Sequence, residues 1–176
     1  LECLATSARP IVLAGPRFRR TDARRQLQQF TTQTGIPAVA LESPRGLRDP
    51  RLGAFAEVLA KADLLVTLGK PLDFMTGFGE APAVATECRI AQIDSDKDRL
   101  AADRARLGAV RDLVQLEAQP EDLMEAIAGA TASAPAISAG WAAEVADATA
   151  YRPTEWIENA RQSQRIHPVC VAAAVR

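Results

Sequence analysis

The chain has 176 residues and a mass of 18.8 kDa, and its 48% apolar and 24% charged residues exclude disordered, collagenous and coiled-coil proteins. Lysine and arginine total 21 and acidic residues 22, which gives a net charge of −1. The chain therefore lacks the basic excess that is typical of a nucleic-acid-binding protein. The three cysteines include no CxxC pair, which disfavours a disulfide framework and a zinc site and fits a reducing cytosol. The single histidine disfavours a Ser-His-Asp triad.

Short apolar runs that end at glycine, proline or acidic residues predict five buried parallel strands. These runs are residues 11–14, 36–41, 64–68, 89–94 and 112–116. Helical patterns follow the strands at residues 21–34, 54–62, 95–98 and 120–130, and two more lie at 141–150 and 154–165. The alternation predicts an α/β domain whose mostly parallel sheet is covered on both faces. No apolar run approaches the roughly 18 residues of a membrane helix, so no membrane partner is expected.

Candidate ligand-binding residues lie where the predicted strands end, because ligands of such sheets bind beyond the carboxyl ends, where strand order reverses. A glycine there lets the backbone approach a pyrophosphate, and an acid accepts a hydrogen bond from a ribose hydroxyl. The fingerprints GxGxxG and GxxxxGK[ST] are absent. The candidates are Gly15, Pro16, Leu41, Glu42, Gly69, Lys70, Asp73, Asp94 and Ser95.

Each candidate also has a purely structural interpretation. Residues 15–16 fit a tight strand-to-helix turn, residues 69–79 a loop that closes the sheet edge, and residues 94–96 a helix cap. The arginines between residues 17 and 25 fit phosphate or CoA recognition, but a solvated helix face is the commoner role. Phe74, Met75 and Phe78 fit either a cover over an adenine or flavin ring or a contact with a neighbouring domain. In a noncatalytic assembly domain, these three residues and Trp141 would pack against partners.

Four segments, in order, resemble the central domain of thiamine diphosphate-dependent enzymes. They read RPIVLAGP, TGIPAVALESPRG, KADLLVTLGKPLDFMTGFG and IAQIDSD, and the match covers about residues 8–127. The large catalytic subunit of acetolactate synthase is the most similar type, with oxalyl-CoA decarboxylase, 2-hydroxyacyl-CoA lyase and benzaldehyde lyase as relatives. The resemblance implies a three-layer, Rossmann-like and sirtuin-like domain with a six-stranded parallel sheet.

The resemblance also implies how a longer polypeptide is organised. Residues 1–135 would form the central domain, residues 136–165 an interdomain linker and residues 166–176 the start of a C-terminal diphosphate-binding domain. Both ends of the chain are expected to be cut. The full-length enzyme would be a cytoplasmic homodimer or homotetramer, a transferase or lyase that forms or cleaves carbon–carbon bonds of 2-oxo acids or related substrates. Thiamine diphosphate and magnesium would be held by the N- and C-terminal domains, leaving this fragment with no catalytic or metal-binding residue.

In some members of this family the central domain holds FAD or ADP/CoA, and the candidate residues above occupy the matching positions. Three departures argue against an FAD site of the standard form. Pro16 lacks an amide donor, Lys70-Pro71 replaces the usual small residue and arginine, and Gln119 replaces a usual aspartate. The alternative function is a stand-alone module that binds NAD or ADP.

Overall fold

Five parallel strands form one sheet in the computed structural model, which describes residues 2–130, 137–162, 166 and 170–171. The strand order is β2-β1-β3-β4-β5, and every neighbouring pair is parallel. This confirms the predicted α/β class and all five predicted strands, within a residue or two at their ends. The described residues contain one strand fewer than the six that the resemblance implies. The strands are β1 (Pro10–Ala14), β2 (Ala38–Ala40), β3 (Leu64–Leu68), β4 (Arg89–Asp94) and β5 (Leu113–Glu117).

Helices connect the strands, as the alternating pattern predicts. The helix predicted over residues 21–34 has those bounds and ends at Gly35, whose left-handed backbone (φ 70°) lets its N–H donate to Thr31 O. The helix predicted over residues 54–62 is shorter, and the one predicted to open at residue 95 runs to residue 107. The helices are α1 (Glu2–Ala5), α2 (Thr21–Thr34), α3 (Phe55–Leu59), α4 (Lys97–Leu107), α5 (Pro120–Ala130), α6 (Trp141–Ala150) and α7 (Thr154–Gln162).

Successive strand residues point to opposite faces of the sheet, so the core has two halves. The face that we call the α3/α6 face buries Ile11, Leu13, Leu65 and Ile90 against side chains of these two helices and of α4. The opposite face, the α2/α5 face, buries alternate residues of the same strands against α1, α2 and α5. The central strands β1 and β3 are buried at every position. Continuous apolar runs, rather than alternating ones, are the consequence of this two-sided cover.

Trp141 is a core residue, which corrects the expectation that it packs against a partner. Its side chain is 2% exposed on the α3/α6 face, and its Nε1 donates to Pro10 O at 2.9 Å. The amide of Ala54 donates to Ala148 O at 2.8 Å, and Lys61 Nζ lies 2.7 Å from a Glu144 carboxylate oxygen. Helix α6 is thereby fixed to α3. The boundaries at residues 135 and 165 stay predictions.

We expect Trp141→Ala to lower the free energy of unfolding by about 3–5 kcal/mol, because the change leaves a large cavity and removes the hydrogen bond to Pro10 O. Urea denaturation followed by circular dichroism would measure the loss. Phe74→Ala is the matched control: Phe74 is 67% exposed, and its removal should change stability by about 0.5 kcal/mol or less. Equal effects of the two substitutions would contradict the core role of Trp141.

Candidate functional site

A cleft of about 470 Å³ lies at the carboxyl ends of β1, β3 and β4. The chain leaves β1 for β2 on one side and returns to β3 on the other, so strand order reverses at this point. Ligands of open parallel sheets bind at such positions. The residues that line the cleft are Pro16, Arg17, Gly69, Pro71, Asp94, Ser95, Asp96, Arg99 and Pro120.

Two glycines bring the ends of β1 and β3 into direct contact. A Cβ atom on Gly15 would lie 2.0 Å from Gly69 O, which no side chain can tolerate. Gly69 has a left-handed backbone (φ 58°) that turns the chain out of the sheet. The amide of Gly15 donates to Leu68 O at 2.9 Å, and that of Gly69 donates to Ile93 O at 2.8 Å. The amides of both glycines therefore extend the hydrogen bonding of the sheet, and neither amide is free to bind a ligand.

Asp94 ends β4 as a buried carboxylate that is only 3% exposed, and each of its oxygens accepts a hydrogen bond. One oxygen accepts the amide of Asp96 at 2.9 Å, and the other accepts Arg99 Nη1 at 2.7 Å. Arg99 also lies 3.3 Å from a carboxylate oxygen of Asp96, which caps α4 by accepting the amide of Asp98. The hydrogen bond from Arg99 to Asp94 raises the pKa of the guanidinium, which stays charged. The arginine thus neutralises the acid that a ribose would otherwise contact.

Arg17 crosses the same edge from β1 to the start of α5. Its Nη1 donates to Gln119 Oε1 at 2.9 Å, and its Nε lies 3.3 Å from a carboxylate oxygen of Glu121. Its side chain is about half exposed, so solvent screens the ion pair. Among the arginines of the predicted cluster whose side chains the structure describes, Arg17 lines the cleft.

Lys70 is turned into the protein and does not line the cleft. The residue is fully buried, and its Nζ lies 3.2 Å from each carboxylate oxygen of Asp73. Asp73 also accepts the amide of Met75 at 2.9 Å, which starts the 3₁₀ turn Phe74–Gly79. Burial lowers the pKa of Lys70, and the charge of Asp73 opposes that effect. This pair anchors the loop after β3.

Leu41 and Glu42 lie in a different place, beside the edge strand β2. Leu41 is buried in the core of the α3/α6 face. A carboxylate oxygen of Glu42 lies 2.9 Å from Arg24 Nη2. Both residues line a second cleft, of about 710 Å³, between α2 and the loop of residues 43–52.

The structure therefore divides the predicted site residues into three groups. Pro16, Gly69, Asp94 and Ser95 line the first cleft, with Gly15 packed against Gly69 beside it. Leu41 and Glu42 line the second cleft, and the buried Lys70 pairs with Asp73. Sequence reasoning missed Arg99 and Pro120. The signal for Arg99 was its place in the first turn of α4, three residues after the N-capping Asp96. Pro120 gave no local signal, because it lies 51 residues after Gly69 in the sequence and approaches that residue only in the folded domain.

An adenine dinucleotide of the usual kind does not fit the first cleft. Its pyrophosphate would find no amide at Pro16 and engaged amides at Gly15 and Gly69. Its ribose would find Asp94 only 3% exposed and already bonded to Arg99 and to the amide of Asp96. Within the described ranges, no group of three or more His, Cys, Asp or Glu side chains could hold a metal ion. None of the described helices is long and apolar enough to cross a membrane.

Fold and cleft together define the class: a parallel α/β domain with a cleft at the reversal of strand order. The charged side chains at this cleft form ion pairs with one another or with neighbouring residues. The profile of the family described as "Thiamine pyrophosphate enzyme, central domain" matches residues 1–118. The chain belongs to this family, which confirms the resemblance seen in the sequence.

One curated relative is 2-hydroxyacyl-CoA lyase 1 of Dictyostelium discoideum. It is 31% identical over 106 residues, which are 56% of this chain and 18% of the relative. The chain thus matches less than a fifth of that protein's length. A solved structure of the Salmonella typhimurium RcsB response regulator aligns at 13% identity and a TM-score of 0.33, over 86% of this chain and 76% of that one. A likeness that weak bears on neither fold nor function.

We expect Gly15→Ala to destabilise the fold by about 3 kcal/mol or more, because the added methyl group would force β1 and β3 apart. Thermal and urea unfolding would measure the loss. Gly140→Asn is the control: a Cβ there meets nothing within 4 Å, and asparagine tolerates the left-handed backbone, so its cost should be about 1 kcal/mol or less. A Gly15→Ala variant as stable as this control would contradict the close contact.

We expect alkaline pH to stabilise the protein relative to Lys70→Met. The pKa of Lys70 is lowered in the folded state from its ordinary value of 10.5, so above the lowered pKa the unfolded chain binds the extra proton. The free energy of unfolding of the natural chain should therefore rise, relative to the variant, as pH increases toward 10.5. Urea unfolding at a series of pH values gives the difference, with Lys61→Met as a control for removing a surface lysine. A difference that stays constant with pH would count against the burial of Lys70.

Proposed function

We propose that this chain is the noncatalytic central domain of a thiamine diphosphate-dependent enzyme. The observation that carries the proposal is the family match over residues 1–118, joined with a carboxyl edge whose polar groups bind one another. A catalytic or cofactor site needs groups that are free to meet a ligand. The charged side chains of this edge are instead engaged in holding the loops that surround them.

The reaction proposed for the full-length protein forms or cleaves a carbon–carbon bond next to a carbonyl group. The similarity to a 2-hydroxyacyl-CoA lyase supports a lyase, and an acetolactate synthase-like transferase acting on 2-oxo acids is the related possibility. Thiamine diphosphate supplies the stabilisation of a carbanion. The described residues offer no metal cluster, so magnesium and the diphosphate would be held by the N- and C-terminal domains of the same polypeptide.

The role proposed for this chain is to position its neighbours in a cytoplasmic homodimer or homotetramer. Phe74 and Phe78, 67% and 48% exposed, form an apolar projection at the carboxyl edge that suits contact with another domain. Phe78 has a left-handed backbone (φ 56°), and its ring packs against Arg106, whose Nη1 donates to Phe78 O at 2.7 Å. The buried pair of Lys70 and Asp73 fixes the base of this projection.

We propose that the first cleft binds neither FAD nor ADP/CoA with useful affinity, because Pro16 offers no amide, the amides of Gly15 and Gly69 are bonded within the sheet, and Asp94 is buried beside Arg99. The competing function, a stand-alone NAD- or ADP-binding module, uses the same cleft and predicts the opposite. Titration of FAD, ADP, CoA and NAD into the 176-residue chain distinguishes them. A ligand at about 100 times its dissociation constant raises the free energy of unfolding by about 2.7 kcal/mol. We expect no shift with any of the four, and a clear shift with NAD or ADP would favour the module.

The proposal itself is tested on the natural polypeptide purified from its source. Its mass should correspond to about three domains. Thiamine diphosphate with magnesium should raise its melting temperature and leave that of the 176-residue chain unchanged, because the cofactor contacts would lie in the other domains. Consumption of 2-oxo acids and cleavage of 2-hydroxyacyl-CoA are the activity readouts. A natural polypeptide that neither binds thiamine diphosphate nor acts on these substrates would refute the proposal.

A further inference from the structure

The outer edge of β2 carries backbone groups that no neighbouring strand uses. The amide of Leu41 donates to Ala14 O at 2.9 Å, and Pro37 O accepts an amide of β1 at 2.9 Å, so the odd-numbered residues bond to β1. Alternate residues of a strand bond to opposite sides, and Ala38 and Ala40 therefore direct their N–H and C=O groups away from β1. Both alanines are half-buried, and within the described ranges no strand pairs with this side of β2.

This edge lines the second cleft, so a chain that paired with β2 would lie inside that cleft. The cleft holds about 710 Å³, and all of the residues that line it lie between residues 24 and 52. Helix α2 contributes the apolar side chain of Leu27 to one wall, and the loop of residues 43–52 contributes Leu52 to the other. The volume falls within the range of about 300–1,000 Å³ that is typical of ligand sites.

The loop wall of the cleft has an excess of positive charge. Arg45 and Arg51 line the cleft and are exposed, and neither guanidinium has a hydrogen-bond or ion-pair partner in the part of the chain that the structure describes. Asp49 lies on the same wall and accepts the amide of Arg51 at 2.9 Å, so one negative charge faces two positive ones. Across the cleft, Arg24 is paired with Glu42 at 2.9 Å. The two loop arginines thus remain available to a carboxylate, which a guanidinium binds through two parallel hydrogen bonds.

Three kinds of occupant are conceivable, and an extended peptide uses the most of what the cleft offers. Main-chain bonds to an exposed strand edge give such a peptide its affinity, and alternate side chains give it selectivity. A small anion would use the arginines and leave the strand edge unused. A second copy of the chain would bring the arginines of two loops together, and like charges in such positions repel.

We propose that the edge of β2 binds an extended acidic segment of a separate polypeptide, which adds to the sheet as a strand beside β2. Successive side chains of an added strand point to opposite faces of the sheet. Carboxylates on the loop side would meet Arg45 and Arg51, and apolar side chains on the other side would meet Leu27. The proposal is independent of the proposed function, because it involves neither thiamine diphosphate nor the first cleft.

The experiment titrates the isotope-labelled 176-residue chain with the peptide acetyl-Glu-Val-Glu-Val-Glu-Val-amide, whose alternation puts every carboxylate on one face. Amide hydrogen exchange is followed by NMR. We expect the peptide to bind with a dissociation constant below about 1 mM and to slow exchange at Ala38 and Ala40 by at least about tenfold, because their amides become hydrogen-bonded. A control peptide with lysine in place of glutamate should slow exchange by less than about twofold.

Two variants distinguish strand addition from attraction between charges. Ala40→Pro removes an outward N–H and leaves the bonds to β1 in place, so it should weaken peptide binding at least about fivefold while changing stability little. The double variant Arg45→Gln with Arg51→Gln should weaken binding by a similar factor. Arg48→Gln is the matched control and should bind like the natural chain, because Arg48 is an exposed arginine of the same loop that does not line the cleft.

Three results would overturn the proposal. Unchanged exchange at Ala38 and Ala40 with about 1 mM acidic peptide would leave β2 as an edge that its shortness and the nearby charges protect from pairing. Binding that survives Ala40→Pro but is lost in the double arginine variant would assign the cleft to small anions. Protection that appears without peptide and grows with the concentration of the chain would assign the edge to a second copy.

Discussion

Parallel strands carry apolar side chains on both faces of their sheet, and covering both faces is the constraint on which the rest of this structure depends. The α3/α6 face meets it with side chains from three helices, one of which follows the last strand by more than 20 residues. On the α2/α5 face the described residues cover β1 and β3, and they leave Val114 and Leu116 of β5 about half exposed. The same constraint explains why α6, in a segment that reads as a linker, is folded against the domain.

The carboxyl edge shows how the groups of a binding architecture can also stabilise the loops around it. Its location, its glycines and its terminal acid are those of a nucleotide cleft. Yet Gly15 is required by the backbone of Gly69, Asp94 is held by Arg99, and Lys70 is buried with Asp73. A ligand that used these groups would compete with the contacts that hold the loops. A scaffold domain gains rigidity from such an arrangement and loses nothing, provided that the chemistry lies elsewhere.

Much of the fold could be predicted from the sequence because the strands are local signals. Runs such as Leu64–Leu68 are apolar over their whole length, since both faces are buried, and glycine marks where they end. The location of the cleft followed from the same reasoning, because parallel strands bring their carboxyl ends to one edge. The family resemblance extended the prediction to the type of domain. It implied six strands, and the described residues form five.

The rest depends on contacts between distant residues, which no local pattern contains. The burial of Trp141 is decided by the position of Pro10, and that of Lys70 by the path of the loop after β3. A lysine after a strand-ending glycine reads as a ligand contact, and only the structure shows that it turns inward to Asp73. Leu41 and Glu42 follow β2, which lies at the outside of the sheet, away from the reversal of strand order.

The hydrogen bond from Trp141 to Pro10 also bears on how the protein is made. It joins residues 131 positions apart, so the first strand leaves the ribosome long before the side chain that seals it. During that interval only the earlier elements, such as α3 with Phe55 and Leu59, can cover this face of β1. The core of the α3/α6 face is complete only once α6 has emerged.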